Sequence, residues 1–144
     1  MNTEMLLSLH RHWVWADRMK ELFEFYLKKE GLPSPESLAP TQPYLLSSMF
    51  TCMSLWYGLL YVTCEGIENA QNVNICDIAP AYPKNKASLR RFRNAMCHVQ
   101  PKYWTPKLFN ILKDANVVDD IRSIHEQVGE WLKSQLRSHI KNTE

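Results

Sequence analysis

No run of apolar residues in this sequence is long enough to cross a bilayer, which excludes a membrane-spanning helix. Met1 to Leu9 do not form an apolar leader of the signal-peptide type. Cys52, Cys64, Cys76 and Cys97 include no C-x-x-C pair and no zinc-like spacing with histidine. These absences exclude a disulfide scaffold and a zinc module, and they predict reduced, mostly buried cysteines in a cytoplasmic protein. Carboxylates do not cluster, so neither a metal nor a cofactor is expected. There is no internal repeat, no low-complexity tract and no apolar alternation of period two, which excludes a β-sheet domain. Charge of one sign is not in excess. A net charge of +2 is too mild for a general nucleic-acid binder, so any affinity for a polyanion must come from a local patch.

What is present points to one globular domain over residues 1–144. The chain is 45% hydrophobic with five Trp and six Tyr, and a chain of this length buries roughly 70% of its unfolded surface without metal or staples. The expected class is all-α, an up-and-down bundle of four long helices plus a short one. Thr3 caps a first helix running to about Glu30, with Leu6, Leu9, Trp13, Ala16, Phe23 and Leu27 on its inner face. Gly31 stops it, and Pro33, Pro35, Pro40 and Pro43 hold the following stretch in a loop. The second helix, about Leu45 to Asn69, is apolar nearly all round, as the central helix of a bundle would be. Residues 70 to 85 read as a long loop with one short turn, after which Asn85 caps a third long helix ending before Pro101. Thr105-Pro106 opens a short helix to about Ala115. Asn116 with Asp119 caps the last helix, with Val117, Ile121, Ile124, Val128, Trp131 and Gln135 facing inward. His10 and His12, lacking a ligand partner at suitable spacing, are expected at the core edge or surface.

The densest chemistry lies in the third long helix, where Lys84 to Arg93 hold five basic residues in ten. On a helical wheel Leu89, Phe92, Met96 and Val99 form an apolar stripe, while Arg90, Asn94 and His98 form another at i, i+4, i+8 spacing. Arg93 borders the second stripe, about 140° from His98 on an ideal helix. An arginine fork suits phosphate, and an imidazole takes or gives a proton near neutral pH. Two readings of this face stand: a solvated basic surface, or a site that holds a phosphodiester and moves protons at it. Arg91 and His98 are a second pair of similar spacing. Two copies of the helix face to face would join their side chains into one cleft, which favours a dimer.

Arg93, Asn94 and His98 resemble the motif of the HEPN superfamily, an Arg with a polar residue after it and a His four to six residues on. The string from Leu89 to Gln100 and the helix from Trp56 to Gly66 look like one bacterial HEPN-like subgroup, and the resemblance spans roughly residues 44 to 132. It implies a metal-independent endoribonuclease of toxin or defence type, with Arg93, Asn94 and His98 catalytic. His98 would act as general base or acid, Arg93 would stabilise the phosphorane, and Asn94 would orient either. Arg90, Arg91, Glu65 and Gln100 are the expected substrate contacts. Glu65 has two readings, a group that pairs with Arg93 or tunes His98, or a surface carboxylate. Some HEPN toxins carry a Tyr where this chain has Gln100, so regulation by modifying that Tyr does not transfer. The other reading is a non-catalytic HEPN-like module for nucleotide, RNA or a protein partner. A helical dimer whose Arg and His merely pair across the interface is a third. RNA or nucleotide, an antitoxin and a second copy are the implied partners. Trp15, Leu22 and Phe25, off the core stripe of the first helix, point to that second copy.

Overall fold

The computed structural model describes residues 1–31, 47–70, 73–98 and 115–141. Among these there are five helices and no strand: α1 Thr3–Glu30, α2 Ser48–Glu68, α3 Ile75–Ile78, α4 Tyr82–Cys97 and α5 Ala115–Lys141. The prolines at 33 to 43, the short helix expected from Thr105, Pro101 and Gln100 lie outside the described residues.

Local chemistry sets the helix ends, in places one register away from expectation. α1 is capped by Asn2 and not by Thr3, because the Asn2 side chain reaches the Met5 amide at 2.8 Å, the third helical N–H. Gly31 ends it at φ 72° and ψ 169°, a backbone region essentially reserved for glycine. Ser47 caps α2 through the Phe50 amide at 3.2 Å, and Asn74 caps the single turn of α3. α4 begins at Tyr82, three residues before the expected cap. Pro83 occupies its first turn, where a missing N–H costs nothing, and the Tyr82 ring is fully buried. Asn85 therefore lies inside the helix, buried, with Nδ2 donating to the Ala81 carbonyl at 2.9 Å and to Asp120 at 3.1 Å. α5 is already helical at Ala115, so Asn116 and Asp119 are residues of the helix and not its caps.

The helices pack as a bundle. α1 lies against α2 and α5, α4 lies against α2 and α5, and α1 and α4 do not pack on each other. Leu9 meets Gly66 while Phe23 meets Trp56, so α1 and α2 run antiparallel. Gly58 meets Met96 while Glu68 meets Lys86, so α2 and α4 do too. The core is apolar and aromatic, with Trp56, Tyr57, Tyr61, Tyr82, Phe23 and Phe92 almost entirely buried. Each such large side chain contributes on the order of 1.5–3 kcal/mol on burial.

One polar group sits at the centre of this core. His125 is 1% exposed, and the Trp56 indole N–H donates to its Nδ1 at 3.2 Å. An indole nitrogen can only donate, so Nδ1 is the bare nitrogen and the proton resides on Nε2, which donates to Asp17 at 3.0 Å. Trp13 stacks on the same ring, and its own indole N–H donates to the His125 carbonyl at 2.9 Å. Gly129, one turn on, makes room for that indole, since a Cβ there would enter the Trp13 ring. This polar insertion rotates the inner stripe of α5. Ile121, Ile124, His125, Val128 and Leu132 are buried, while Val117, Trp131 and Gln135, expected inside, are half-buried. The cysteines also divide unexpectedly: Cys52 and Cys64 are buried and Cys76 and Cys97 exposed, all four as free thiols.

Candidate functional site

Every described residue of the Arg-Asn-x-x-x-His string lies on α4 or its C-cap, and one face of α2 determines where α4 sits. That face carries Gly58, Tyr61, Glu65 and Glu68 at i, i+3, i+7 and i+10. At Gly58 the helices approach so closely that an added Cβ would run into the Met96 side chain and come within 3.4 Å of the Arg93 Cα. One turn on, the Tyr61 ring lies beneath Arg93, with the guanidinium carbon 5.4 Å from the ring centroid. A cation over an aromatic face is attracted by the ring quadrupole. Glu65 takes the edge of the same guanidinium at 3.6 Å and accepts the Tyr61 hydroxyl at 2.9 Å. Burial and this carboxylate, in that order, push the Tyr61 hydroxyl above its ordinary pKa, so it remains a donor. Of the two readings of Glu65, the partner of Arg93 is the one observed.

A second carboxylate repeats the device further along. Glu68 pairs with Lys86 at 2.8 Å and accepts the Tyr82 hydroxyl at 3.4 Å. On the other flank Asp120 of α5 meets Lys84 at 3.3 Å and Asn85. Hydrogen bonding from Asn85 and then Lys84 holds the Asp120 carboxyl below its ordinary pKa. Three carboxylates thus tie α4 to its neighbours through its own cations. Arg90 and Arg91 are exposed and form no ion pair among the described residues. With Pro83, Lys86, Ala87 and Asn94 they line an open groove of about 430 Å³.

The expected continuous stripe of Arg90, Asn94 and His98 breaks at its last member. α4 ends at Cys97, and His98 is its C-cap with extended backbone at φ −134° and ψ 131°. Its amide still closes the last turn on the Asn94 carbonyl at 3.0 Å, but its exposed side chain has left the helical wheel. The ideal-helix separation of Arg93 and His98 therefore does not apply. Gln100 falls outside the described residues. Sequence reasoning missed Tyr61, Gly58, Glu68 and Lys86 as supports of the site. The signal available was the α2 face itself, an aromatic and two carboxylates at helical spacing on a helix otherwise apolar. No group of three or more metal-ligating side chains occurs among the described residues, and no described helix is long and apolar enough to cross a membrane. No known family, curated protein or solved structure matches this chain.

Proposed function

We propose that this protein is a metal-independent endoribonuclease of HEPN type, an up-and-down bundle of four long helices and a short one acting in the cytoplasm on RNA. The observation that carries the reading is the groove of Lys86, Arg90, Arg91 and Asn94, with the exposed His98 one turn past Asn94. Arg90 and Arg91, without ion-pair partners among the described residues, are suited to hold successive phosphates. His98 accepts the proton of a ribose 2′-hydroxyl, and the 2′-oxygen forms a bond to the adjacent phosphorus. The bond to the 5′-oxygen then breaks, that oxygen takes a proton from water, and His98 releases its own proton to the resulting hydroxide. Arg93, positioned by Glu65 and Tyr61, stabilises charge on the phosphorane, and Asn94 orients the phosphate. A toxin or defence role, held in check by an antitoxin protein, belongs to the same reading.

Cleavage should persist in chelator and leave cyclic phosphate and 5′-hydroxyl ends. His98→Ala should lower turnover by roughly 10²–10⁴-fold while sparing RNA affinity. Arg93→Ala should weaken both, and Arg93→Lys should restore only part, because an ammonium cannot reproduce the bidentate fork. DNA should bind but remain uncut. Cleavage that vanishes with chelator, or that survives His98→Ala unchanged, would sink the mechanism. A second reading, a non-catalytic module for nucleotide, RNA or a protein partner, is favoured by the engagement of Arg93 with Glu65. It predicts RNA binding that depends on Arg90 and Arg91, with no products at any enzyme concentration.

A further inference from the structure

The outer face of α1 carries a stripe of large apolar side chains that the bundle leaves uncovered. Leu7 is 52% exposed, Trp15 49%, Leu22 43% and Phe25 58%. These positions, with Glu4, Arg11, Arg18 and Lys29 between and beyond them, follow a spacing of three and four over the whole helix. That is the period of a helix–helix seam. Scattered exposed apolar residues need no explanation, but one aligned stripe whose apolar members span about 27 Å marks an interaction surface.

The order of charges along the stripe identifies the partner. If a second α1 runs antiparallel, related by a two-fold axis at the level of Ala16 and Asp17, the ends of the stripe match in charge and its arginines fall opposite apolar side chains. Glu4 then faces Lys29 of the second copy, and Leu7 faces Phe25 and Tyr26. Arg11 faces Leu22 beside Glu21, and Trp15 faces Arg18. A parallel pairing in register would instead set Glu4 on Glu4, Arg11 on Arg11, Arg18 on Arg18 and Lys29 on Lys29. Like charges at each of those levels oppose association. Within one chain these groups already show the matching chemistry, since the Arg11 guanidinium lies over the Trp15 ring at 5.3 Å and Arg18 pairs with Glu21 at 2.8 Å. Self-complementarity under a two-fold is the mark of an isologous interface between copies of one chain.

We propose that α1 pairs antiparallel with α1 of a second copy of this chain through this stripe. The pairing is independent of any chemistry on α4, and it has a consequence for that helix. α1 and α4 both pack on α2 and α5 but not on each other, so they lie on opposite sides of the bundle. Joining two copies through α1 directs the α4 grooves away from the two-fold axis, and each groove works as the property of one chain.

Sedimentation equilibrium of the full chain should give about twice the 16.9 kDa chain mass at micromolar concentration. Phe25→Glu with Leu22→Lys should raise the dissociation constant by roughly tenfold or more, because a cation at position 22 meets Arg11 of the second copy. Both sites are exposed, so circular dichroism should report unchanged helicity. The decisive arm is charge exchange. Glu4→Lys and Lys29→Glu should each weaken the dimer, and the double variant should recover it because the reversed pair re-forms across the axis. A monomer at tens of micromolar would overturn the proposal. So would a dimer indifferent to Leu22 and Phe25, or single-variant losses that the exchange does not repair. A monomer that binds anionic vesicles through Trp15 would assign the stripe to lipid and overturn it as well.

Discussion

At the scale of single residues, two side chains carry more consequence than their neighbours, and each is defined by its hydrogen-bonding direction. The His125 imidazole accepts from Trp56 and donates to Asp17, so protonating Nδ1 would set two N–H groups against each other. Burial moves its pKa below the ordinary 6.5, with Asp17 opposing the shift. The unfolded chain therefore binds this proton at a pH where the folded chain does not. It follows that His125 adds stability above about pH 6.5 that is lost as pH falls below it. Urea unfolding between pH 5 and 7.5 should show that slope, and His125→Asn should reduce it at a cost of roughly 1–3 kcal/mol near neutrality. A slope identical in wild type and variant would assign it to the other histidines. Glu65 is the second such residue. Glu65→Gln keeps an acceptor for the Tyr61 hydroxyl but removes the charge that competes for Arg93. RNA affinity should rise roughly twofold to fivefold, the range of a partly exposed ion pair. An unchanged affinity in a titration at low salt would show that Arg93 does not meet the ligand.

At the scale of the helix, the contact between α2 and α4 is governed by a single missing side chain. Gly58 lets the α4 backbone come close enough for Tyr61 and Glu65 to reach Arg93. Gly58→Ala should displace Met96 and press on the Arg93 backbone, destabilising the fold by roughly 1–3 kcal/mol. Adding Met96→Ala should return part of that loss, because the flexible thioether is the nearer obstacle. Additive losses in denaturant melts would mean that the Arg93 backbone, and not the side chain, sets the limit. The same scale explains which helix ends were readable. Ser, Asn and Gly at helix ends act through bonds to residues two to four away, so the ends of α1 and α2 were legible within a residue or a few, while the single turn of α3 was read only as a turn within a loop. The start of α4 was not, because Asn85 has a typical capping side chain but a better partner in Asp120, 35 positions later in the chain.

At the scale of the whole molecule, the two surfaces that attract attention in the sequence prove to be separate. Apolar residues on the outside of α1 and cations on α4 both suggested a dimer, and a single composite cleft was the simplest way to join them. The packing order divides them, since α2 and α5 stand between α1 and α4. A variant held monomeric by Phe25→Glu should therefore bind RNA with the affinity per chain of the wild type, measured by fluorescence anisotropy. A loss of binding on dissociation would instead place the groove at an interface between two copies.

Helical periodicity and composition determined by themselves that the described chain is helical, that Leu6, Leu9, Trp13, Ala16 and Phe23 face inward, and that basic residues gather on one later helix. Those properties depend on neighbours within one or two turns, which a one-dimensional pattern records. Tertiary structure alone decided the rest. It drew His125 inward among Trp13, Trp56 and Asp17 and left Trp131 half-buried at the edge of the core. It ended α4 at Cys97 and put His98 off the helical wheel, and it bound Arg93 to Glu65 while leaving Arg90 and Arg91 in the open groove. The physical reason is common to all of these. Whether a polar side chain is buried, paired or available depends on the donor, acceptor or charge that packing brings opposite it, and those partners come from helices distant in sequence.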